Sequence, residues 1–385
     1  MIQCIHHWKG AGFSREIPMD YRKFGRTDLS PSVLGFGMMR LKTNEDGTID
    51  ENWAIKTLRY AIDHGLSYVD TAYAYPDSER VTGLCLQDGY REKVTLATKL
   101  PVVKLTCEED FETILDEQLR RLQTDHIDVY LLHALNLSRW EEYVKKYNIL
   151  AHAEKARAKG KIRYLGFSFH DSLDAFKTIL NGYDKWDFCQ IQLNYMDTHY
   201  QAGLEGLQLA HENGLAVVIM EPLRGGTLAN VPEQVAKMLP KNPVESALDF
   251  LWNMKEVNVV LSGMNEMQQV EQNLSYAENA RPGMLTESEN QAILAAGDAM
   301  RAVLSVPCTG CNYCSTCPNE IAIPDIFKIN NQRQLDGNYS AAKAKYQELG
   351  KKNAQACVSC GLCEEQCPQQ IPVYHKLAEI HKMYA

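Results

Sequence analysis

Eight short apolar runs alternate with helix-patterned stretches between residues 33 and 278, and this rhythm constrains the fold more than any other feature. The runs fall at 33–38, 68–72, 94–100, 127–133, 162–168, 188–194, 216–222 and 257–264. Each is rich in Val, Ile, Leu, Phe or Tyr and has the length of a buried strand. Segments such as 53–64, 108–122 and 172–180 space their apolar residues at the helical period. Gly65, Gly160 and Gly214 follow helices, where a left-handed cap favours glycine. Eight βα units over roughly 250 residues are the size and order of a (β/α)8 TIM barrel. An open doubly wound sheet is the alternative, but it has fewer strands and a G-x-G-x-x-G first turn. The first turn here reads Gly35-Phe-Gly37-Met-Met39, so the barrel is favoured, over residues 19–284.

The 385 residues leave room for more beyond the barrel. Residues 1–18 carry His6, His7, Trp8, Lys9 and Arg15 and lack the apolar core of a secretory signal. They read as an N-terminal tail, with the folded part starting at Met19 and a hairpin-like segment after it. A helix is expected over 285–300, with Thr286 as its cap and Glu289 completing a capping box, bridging to a second region. That region, 285–385, is expected to be small and mainly helical, with helices near 323–331 and 339–349.

Eight of the twelve cysteines crowd into this second region, in two motifs. The first is Cys308-x2-Cys311-x2-Cys314-x2-Cys317-Pro318, and the second is Cys357-x2-Cys360-x2-Cys363-x3-Cys367-Pro368. Closely spaced thiolates followed by Cys-Pro point to iron–sulfur clusters of the two-cluster ferredoxin kind. In that arrangement the fourth Cys of each motif serves the other cluster. Cys308, Cys311, Cys314 and Cys367 then hold one 4Fe–4S cluster, and Cys357, Cys360, Cys363 and Cys317 hold the second. The x2 spacing that closes the first motif departs from the usual x3 and bears on this exchange. Structural zinc also uses C-x2-C pairs, but from two separated pairs rather than three overlapping steps. Cys4, Cys85, Cys107 and Cys189 are scattered and read as buried or incidental thiols.

In a barrel of this kind the chemistry sits where strands end. The second run ends Asp70-Thr-Ala-Tyr73-Ala-Tyr75, the third ends in Lys99 and the fourth in His133. Reducing a carbonyl leaves charge on oxygen, which a positioned acid must protonate. Tyr75 is the candidate acid. Lys99 is expected to lower its pKa, Asp70 to hold Lys99, and His133 to orient the oxygen. Singly, an Asp–Lys pair serves as well as a salt bridge and a lone His is more often structural. Together, four residue types at three strand ends favour catalysis.

These residues, in this order and spacing, resemble the catalytic tetrad of the aldo-keto reductase family over about residues 20–280. The cysteine region resembles the branch of that family with a C-terminal ferredoxin-like domain. The resemblance implies a nicotinamide cofactor. It places Ser168 and Gln190 at the carboxamide, with Phe169, followed by His170, standing where the family usually has Asn. It places Met39 at the cofactor, Pro222, Leu223 and Arg224 near the pyrophosphate, and Met220 where a Tyr often stacks. Gly263 and Gln269 occupy positions that are basic in NADPH-selective members, so NADH, or both NADH and NADPH, is the expected cofactor. Gln272 and Asn273 face the adenine by the same match. Tyr73 and Trp140 are candidates for the substrate pocket.

Composition narrows the partners. A net charge of -9 argues against nucleic-acid or anionic-membrane surfaces, which need clustered Lys and Arg. No apolar run reaches the ~18 residues of a membrane span. An unsignalled, thiol-rich chain fits the cytoplasm. The reading is an NAD(P)H-dependent reductase of a small aldehyde or ketone, reversible in principle. The alternative is a nicotinamide-binding module without turnover that serves electron transfer or redox sensing. Hydride carries two electrons and a cluster takes one, so the clusters are expected to be structural, to sense oxygen, or to pass electrons to a flavoprotein or ferredoxin partner.

Overall fold

The computed structural model describes residues 19–385, and the expected N-terminal tail and Cys4 lie outside them. All eight apolar runs form strands: β1 Leu34–Gly37, β2 Tyr68–Asp70, β3 Thr95–Leu100, β4 Ile127–Leu135, β5 Ile162–Phe169, β6 Phe188–Gln192, β7 Ala216–Met220 and β8 Val259–Ser262. They pair in parallel, each with the next, and β1 pairs with β8 to close the barrel. Closure leaves no free edge and buries both faces of every strand, so the runs are continuously apolar rather than alternating.

The helices form the outer ring. Glu51–Asp63 starts at Asp50, whose side chain accepts from the Trp53 amide. Asp110–Leu122 and Leu173–Asn181 follow the expected positions. Gly65, Gly160 and Gly214 all adopt positive φ after their helices, which a side chain would strain.

The bottom of the barrel is plugged. Tyr21 pairs antiparallel with Ser32, and the turn between them inserts Phe24 against Tyr68 and Phe188, ring centroids 6.0 and 5.4 Å away. Arg22 fastens this turn by donating to the carbonyls of Trp252, Val257 and Met254 at 2.7, 2.7 and 3.0 Å.

The helix Glu287–Val303 has the expected capping box between Thr286 and Glu289. Its buried Ile293, Ala296 and Met300 join the barrel core. Packing therefore carries the barrel unit past residue 284 to the end of this helix. The rest of the chain is helical, with Ile323–Asp336, Tyr339–Glu348 and Val373–Tyr384 as its longer helices. These enclose a small core of their own, built on Ile326, Phe327, Tyr346, Leu377 and Tyr384.

This second region sits on the C-terminal mouth of the barrel. Gln369 and Gln192 bond each other reciprocally, Gln369 Nε2 to Gln192 Oε1 at 2.7 Å and Gln192 Nε2 to Gln369 Oε1 at 3.3 Å. Gln201 donates to the Pro368 carbonyl and Tyr200 to that of Gln369, both at 2.9 Å. Arg40 donates to the Thr309 carbonyl at 2.9 Å. At Gly225, where φ is +64°, a Cβ would collide with that same Thr309 carbonyl, so the loop after β7 approaches the first cysteine motif as only glycine allows. No helix among the described residues is long and apolar enough to cross a membrane.

Candidate active site

The strand ends that face the second region enclose a cavity of about 400 Å³. A larger crevice of about 670 Å³ opens at the opposite end, beside Asp128, and holds none of the expected residues. Chemistry in a barrel belongs to the C-terminal mouth, and four side chains meet there: Asp70, Tyr75, Lys99 and His133.

Lys99 is fully buried at the end of β3. Its Nζ donates to Asp70 Oδ1 at 2.6 Å and to the Thr71 carbonyl at 2.8 Å. A lysine survives such burial only when its charge is paired and hydrogen-bonded. The ammonium also lies 5.0 Å from the centroid of the Tyr75 ring. Tyr75 meets His133 edge to face, centroids 5.9 Å apart.

The expected lowering of the Tyr75 pKa is not what the environment produces. Burial, reinforced by the charge of Asp70, raises the phenol above its ordinary range. Lys99 is already committed to Asp70, and a dry pocket penalises phenolate. Tyr75 therefore keeps its proton at neutral pH. His133 is pushed well below its ordinary range, by burial first and then by the Lys99 charge, so its ring is neutral. A register shift in the β4–β5 pairing follows directly after Leu132, and Ala134 takes a positive φ of 52°. Such an irregularity re-aims a side chain at a strand end, and His133 lies at this one.

The positions expected at the cofactor divide clearly. Met39, Ser168, Gln190, Pro222 and Leu223 line the cavity. Gly263, Gln269, Gln272 and Asn273 line it as well. Ser168 Oγ accepts from the Ala134 amide at 2.7 Å, which leaves its hydroxyl proton free to donate. Gln190 Nε2 points to Met220 Sδ at 3.8 Å, while its Oε1 is buried without a partner. A buried carbonyl oxygen left bare costs ~1–3 kcal/mol, and a carboxamide N–H would satisfy it. The residues present thus fit a nicotinamide. Gln269 Oε1 caps its own helix, accepting from the amides of Asn265 and Glu266 at 2.9 and 3.3 Å. Asn273 donates to Ser262 Oγ at 3.0 Å.

Arg224 does not line the cavity. It is 3% exposed, its backbone is left-handed, and its Nε donates to Asp197 Oδ2 at 3.0 Å. Asp197 thus holds the Nε of Arg224, while its Nη1 is buried without a partner. Tyr73 and Trp140 are also elsewhere. The guanidinium of Arg121 lies over the Tyr73 ring, and Trp140 is a core residue against Trp186. Phe169 packs outward on Phe176, while His170 faces the cavity and burial lowers its pKa to about 4.

Arg40 and Tyr313 are among the cavity residues that had no place in the sequence reading. Arg40 follows Met39 at the exit of β1 and lies 3.5 Å from Glu221. Its signal was a lone cation at a strand end. Tyr313 lies between Cys311 and Cys314, and its hydroxyl is 3.3 Å from His133 Nε2. No local pattern marks it, because it reaches the site across 180 residues of chain.

The cysteines gather as two sets. Cys367 lies within electrostatic reach of Cys308, Cys311 and Cys314. Cys317 rings a small cavity with Cys357, Cys360 and Cys363. Among the described residues no three thiol, imidazole or carboxylate groups converge tightly enough to hold a single ion, as tetrahedral zinc requires. Cys85 and Cys189 are buried and Cys107 is exposed.

The aldo/keto reductase family profile matches residues 33–293, and a 4Fe-4S dicluster domain profile matches residues 307–371. The chain belongs to the aldo/keto reductase family. It falls in the branch with a C-terminal dicluster domain, and its barrel is that of an NAD(P)H-dependent oxidoreductase. Aldo-keto reductase YhdN of Bacillus subtilis (strain 168) is 30% identical over 174 residues, 42% of this chain and 51% of that protein, so the match spans about half of that relative's length. L-galactose dehydrogenase of Arabidopsis thaliana is 27% identical over 308 residues, 72% of this chain and 94% of that enzyme. The structure of aldo-keto reductase AKR11C1 from Bacillus halodurans in its holo form is similar with a TM-score of 0.60 and 27% identity, covering 72% of this chain and 96% of that one.

Proposed function

We propose that this aldo/keto reductase reduces a small aldehyde or ketone, reversibly, with Tyr75 as the proton donor. The observation that carries the reading is the convergence of Tyr75, His133 and the Lys99–Asp70 pair on one cavity whose wall also presents the bare Oε1 of Gln190. Ser168 and Gln190 would hold the carboxamide of the nicotinamide, with Met220 against its ring. Pro222 and Leu223 would meet the pyrophosphate, and Gln272 and Asn273 the adenine end. When bound, the reduced nicotinamide supplies hydride to the carbonyl carbon.

The chain's own groups handle the oxygen. Neutral His133 orients it by a hydrogen bond, and Tyr75 gives it a proton as charge develops. A phenol raised by burial holds that proton until a stronger base, the nascent alkoxide, forms beside it. Lys99 stands ready to stabilise the resulting phenolate, and Asp70 keeps Lys99 in place. Neither Gly263 nor Gln269 offers a charge to a 2′-phosphate, which prefers cations. NADH is therefore accepted as well as NADPH.

The second region would carry two 4Fe–4S clusters, one on Cys308, Cys311, Cys314 and Cys367, the other on Cys357, Cys360, Cys363 and Cys317. Beside the second set Val358 is 67% exposed, which suits a flavoprotein or ferredoxin exchanging single electrons there. All described cysteines are free of disulfides, in keeping with a cytoplasmic protein.

The test is anaerobic oxidation of NADH and NADPH against a panel of aldehydes and ketones, with Tyr75→Phe alongside. Carbonyl-dependent oxidation by the wild type that the variant loses supports the reading. Equal turnover by the two proteins refutes it. Cofactor binding with no turnover on any carbonyl favours the electron-transfer or redox-sensing module instead.

A further inference from the structure

Tyr313 belongs to the cysteine region by sequence and to the barrel's cavity by position. It lies two residues after Cys311 and directly before Cys314. Its hydroxyl is 3.3 Å from His133 Nε2, and it lies within electrostatic reach of the Tyr75 phenol. Its ring stands edge-on to that of His133, centroids 6.3 Å apart. Tyr75 and Tyr313 thus both pack edge-on against the His133 ring.

We propose that Tyr313 is a third hydrogen-bond donor to the reacting carbonyl oxygen, carried into the barrel by the first cysteine motif. The proposal rests on the reductase reading above. An oxygen that accepts from His133 sits beside the Tyr313 hydroxyl, which is 3.3 Å from His133 Nε2, and Tyr75, His133 and Tyr313 line the same cavity. During reduction hydride adds to the carbonyl carbon, the π pair moves to oxygen, and the proton of Tyr75 follows it. Tyr313 turns its O–H onto that oxygen and keeps its proton. A preorganised donor aimed at developing charge contributes ~10²–10³ in kcat.

The loop that carries Tyr313 is held firmly. The Thr309 carbonyl is bound by Arg40 and pressed by Gly225. The Gly310 amide points to Cys308 Sγ at 3.4 Å, and Gln369 ties the neighbouring loop to Gln192 in the barrel. Cysteines of the first set stand on both sides of Tyr313, so the order of that set fixes the donor. This gives an iron–sulfur region a part in a two-electron reduction without any electron passing through it.

The experiment uses the full chain, purified without oxygen, as wild type, Tyr313→Phe and Tyr75→Phe. Turnover is followed with para-nitrobenzaldehyde. Binding of butyrate to the complex with oxidised cofactor is followed by protein fluorescence, since a carboxylate places a charged oxygen where the alkoxide forms. For Tyr313→Phe, kcat is expected to fall ~10²-fold with KM changed far less. Butyrate is expected to bind about tenfold more weakly, as for the loss of one charge-assisted hydrogen bond. Affinity for the reduced cofactor and the visible absorbance of the iron–sulfur region are expected to stay unchanged. Unchanged kcat and butyrate affinity overturn the proposal. A rise in kcat/KM also overturns it and makes Tyr313 a plug that substrate displaces. Full activity in Tyr75→Phe overturns the reductase reading instead, and butyrate binding still reports on Tyr313 in that case.

Discussion

The two cysteine motifs differ in spacing only at their fourth Cys, but they differ widely in surroundings. The first set faces the barrel: Cys311 lines the same cavity as Tyr75 and Lys99, and burial raises the thiols of Cys308, Cys311 and Cys314. The second set faces outward: Cys360 is exposed, and Val358 and Leu362 beside it are 67% and 45% exposed. Similar motifs thus have unequal surroundings. On the proposals above, the first set would shape the carbonyl site and the second would meet a partner from outside.

The largest expected effect removes the barrel's chemistry and leaves both sets intact. Tyr75→Phe is expected to lower kcat ~10³-fold, within the range for a lost general acid, in an assay of NADH oxidation with an aldehyde. A smaller loss would move the proton donor elsewhere, Tyr313 being the next hydroxyl. The comparison itself is tested by slow removal of iron with a chelator. The exposed second set is expected to lose iron first with turnover retained, and turnover to fall ~10²-fold as the first set follows and its donor is lost. Iron content and kcat read side by side give this directly. A fall in kcat proportional to the first iron lost would erase the distinction.

The seam between the regions is a milder target. Gln369→Ala strips the donor from the buried Oε1 of Gln192, a loss of about 1–3 kcal/mol. It is expected to lower the thermal midpoint without changing the iron content. Smaller again is the cofactor effect. Gln269→Arg puts a cation where Gln269 now caps its helix and is expected to shift preference toward NADPH by about tenfold, roughly one charge-assisted contact. Competing affinities for the two cofactors measure it.

The least effect is expected from pH. Burial and Lys99 keep His133 neutral, and burial and Asp70 keep Tyr75 protonated. Neither group changes charge between their ordinary values of about 6.5 and 10, so kcat/KM for reduction is expected to be nearly flat across that interval. A limb centred near either ordinary value would show that the group titrates unperturbed.

Much of this was legible in the chain. The eight runs read as strands because a parallel barrel buries both faces, which leaves near-continuous Val, Ile and Leu. The tetrad was legible because its four members fall at or just after the ends of three successive runs, Asp70 and Tyr75 after the second, Lys99 in the third and His133 in the fourth. The paired Cys-Pro motifs gave the second region. What stayed hidden depends on contacts between distant segments. The resemblance put Arg224 near the pyrophosphate, and only the fold shows its Nε on Asp197. Tyr73 and Trp140 sat near the right strands but point to Arg121 and into the core. The pKa of Tyr75 was misjudged because spacing shows that Lys99 is near, and not that Asp70 already holds it. Tyr313 could be recognised only once the second region lay on the barrel's mouth.

The central claim is direct reduction at the barrel site, and isotope transfer tests it most directly. Reduced nicotinamide carrying deuterium at its transferable position is supplied with an aldehyde, anaerobically, and the alcohol is analysed by mass spectrometry. The account predicts one deuterium on the carbinol carbon in nearly every product molecule. Alcohol formed without deuterium from the cofactor would mean that electrons leave the nicotinamide singly and reach the carbonyl through the clusters, and the account would be wrong.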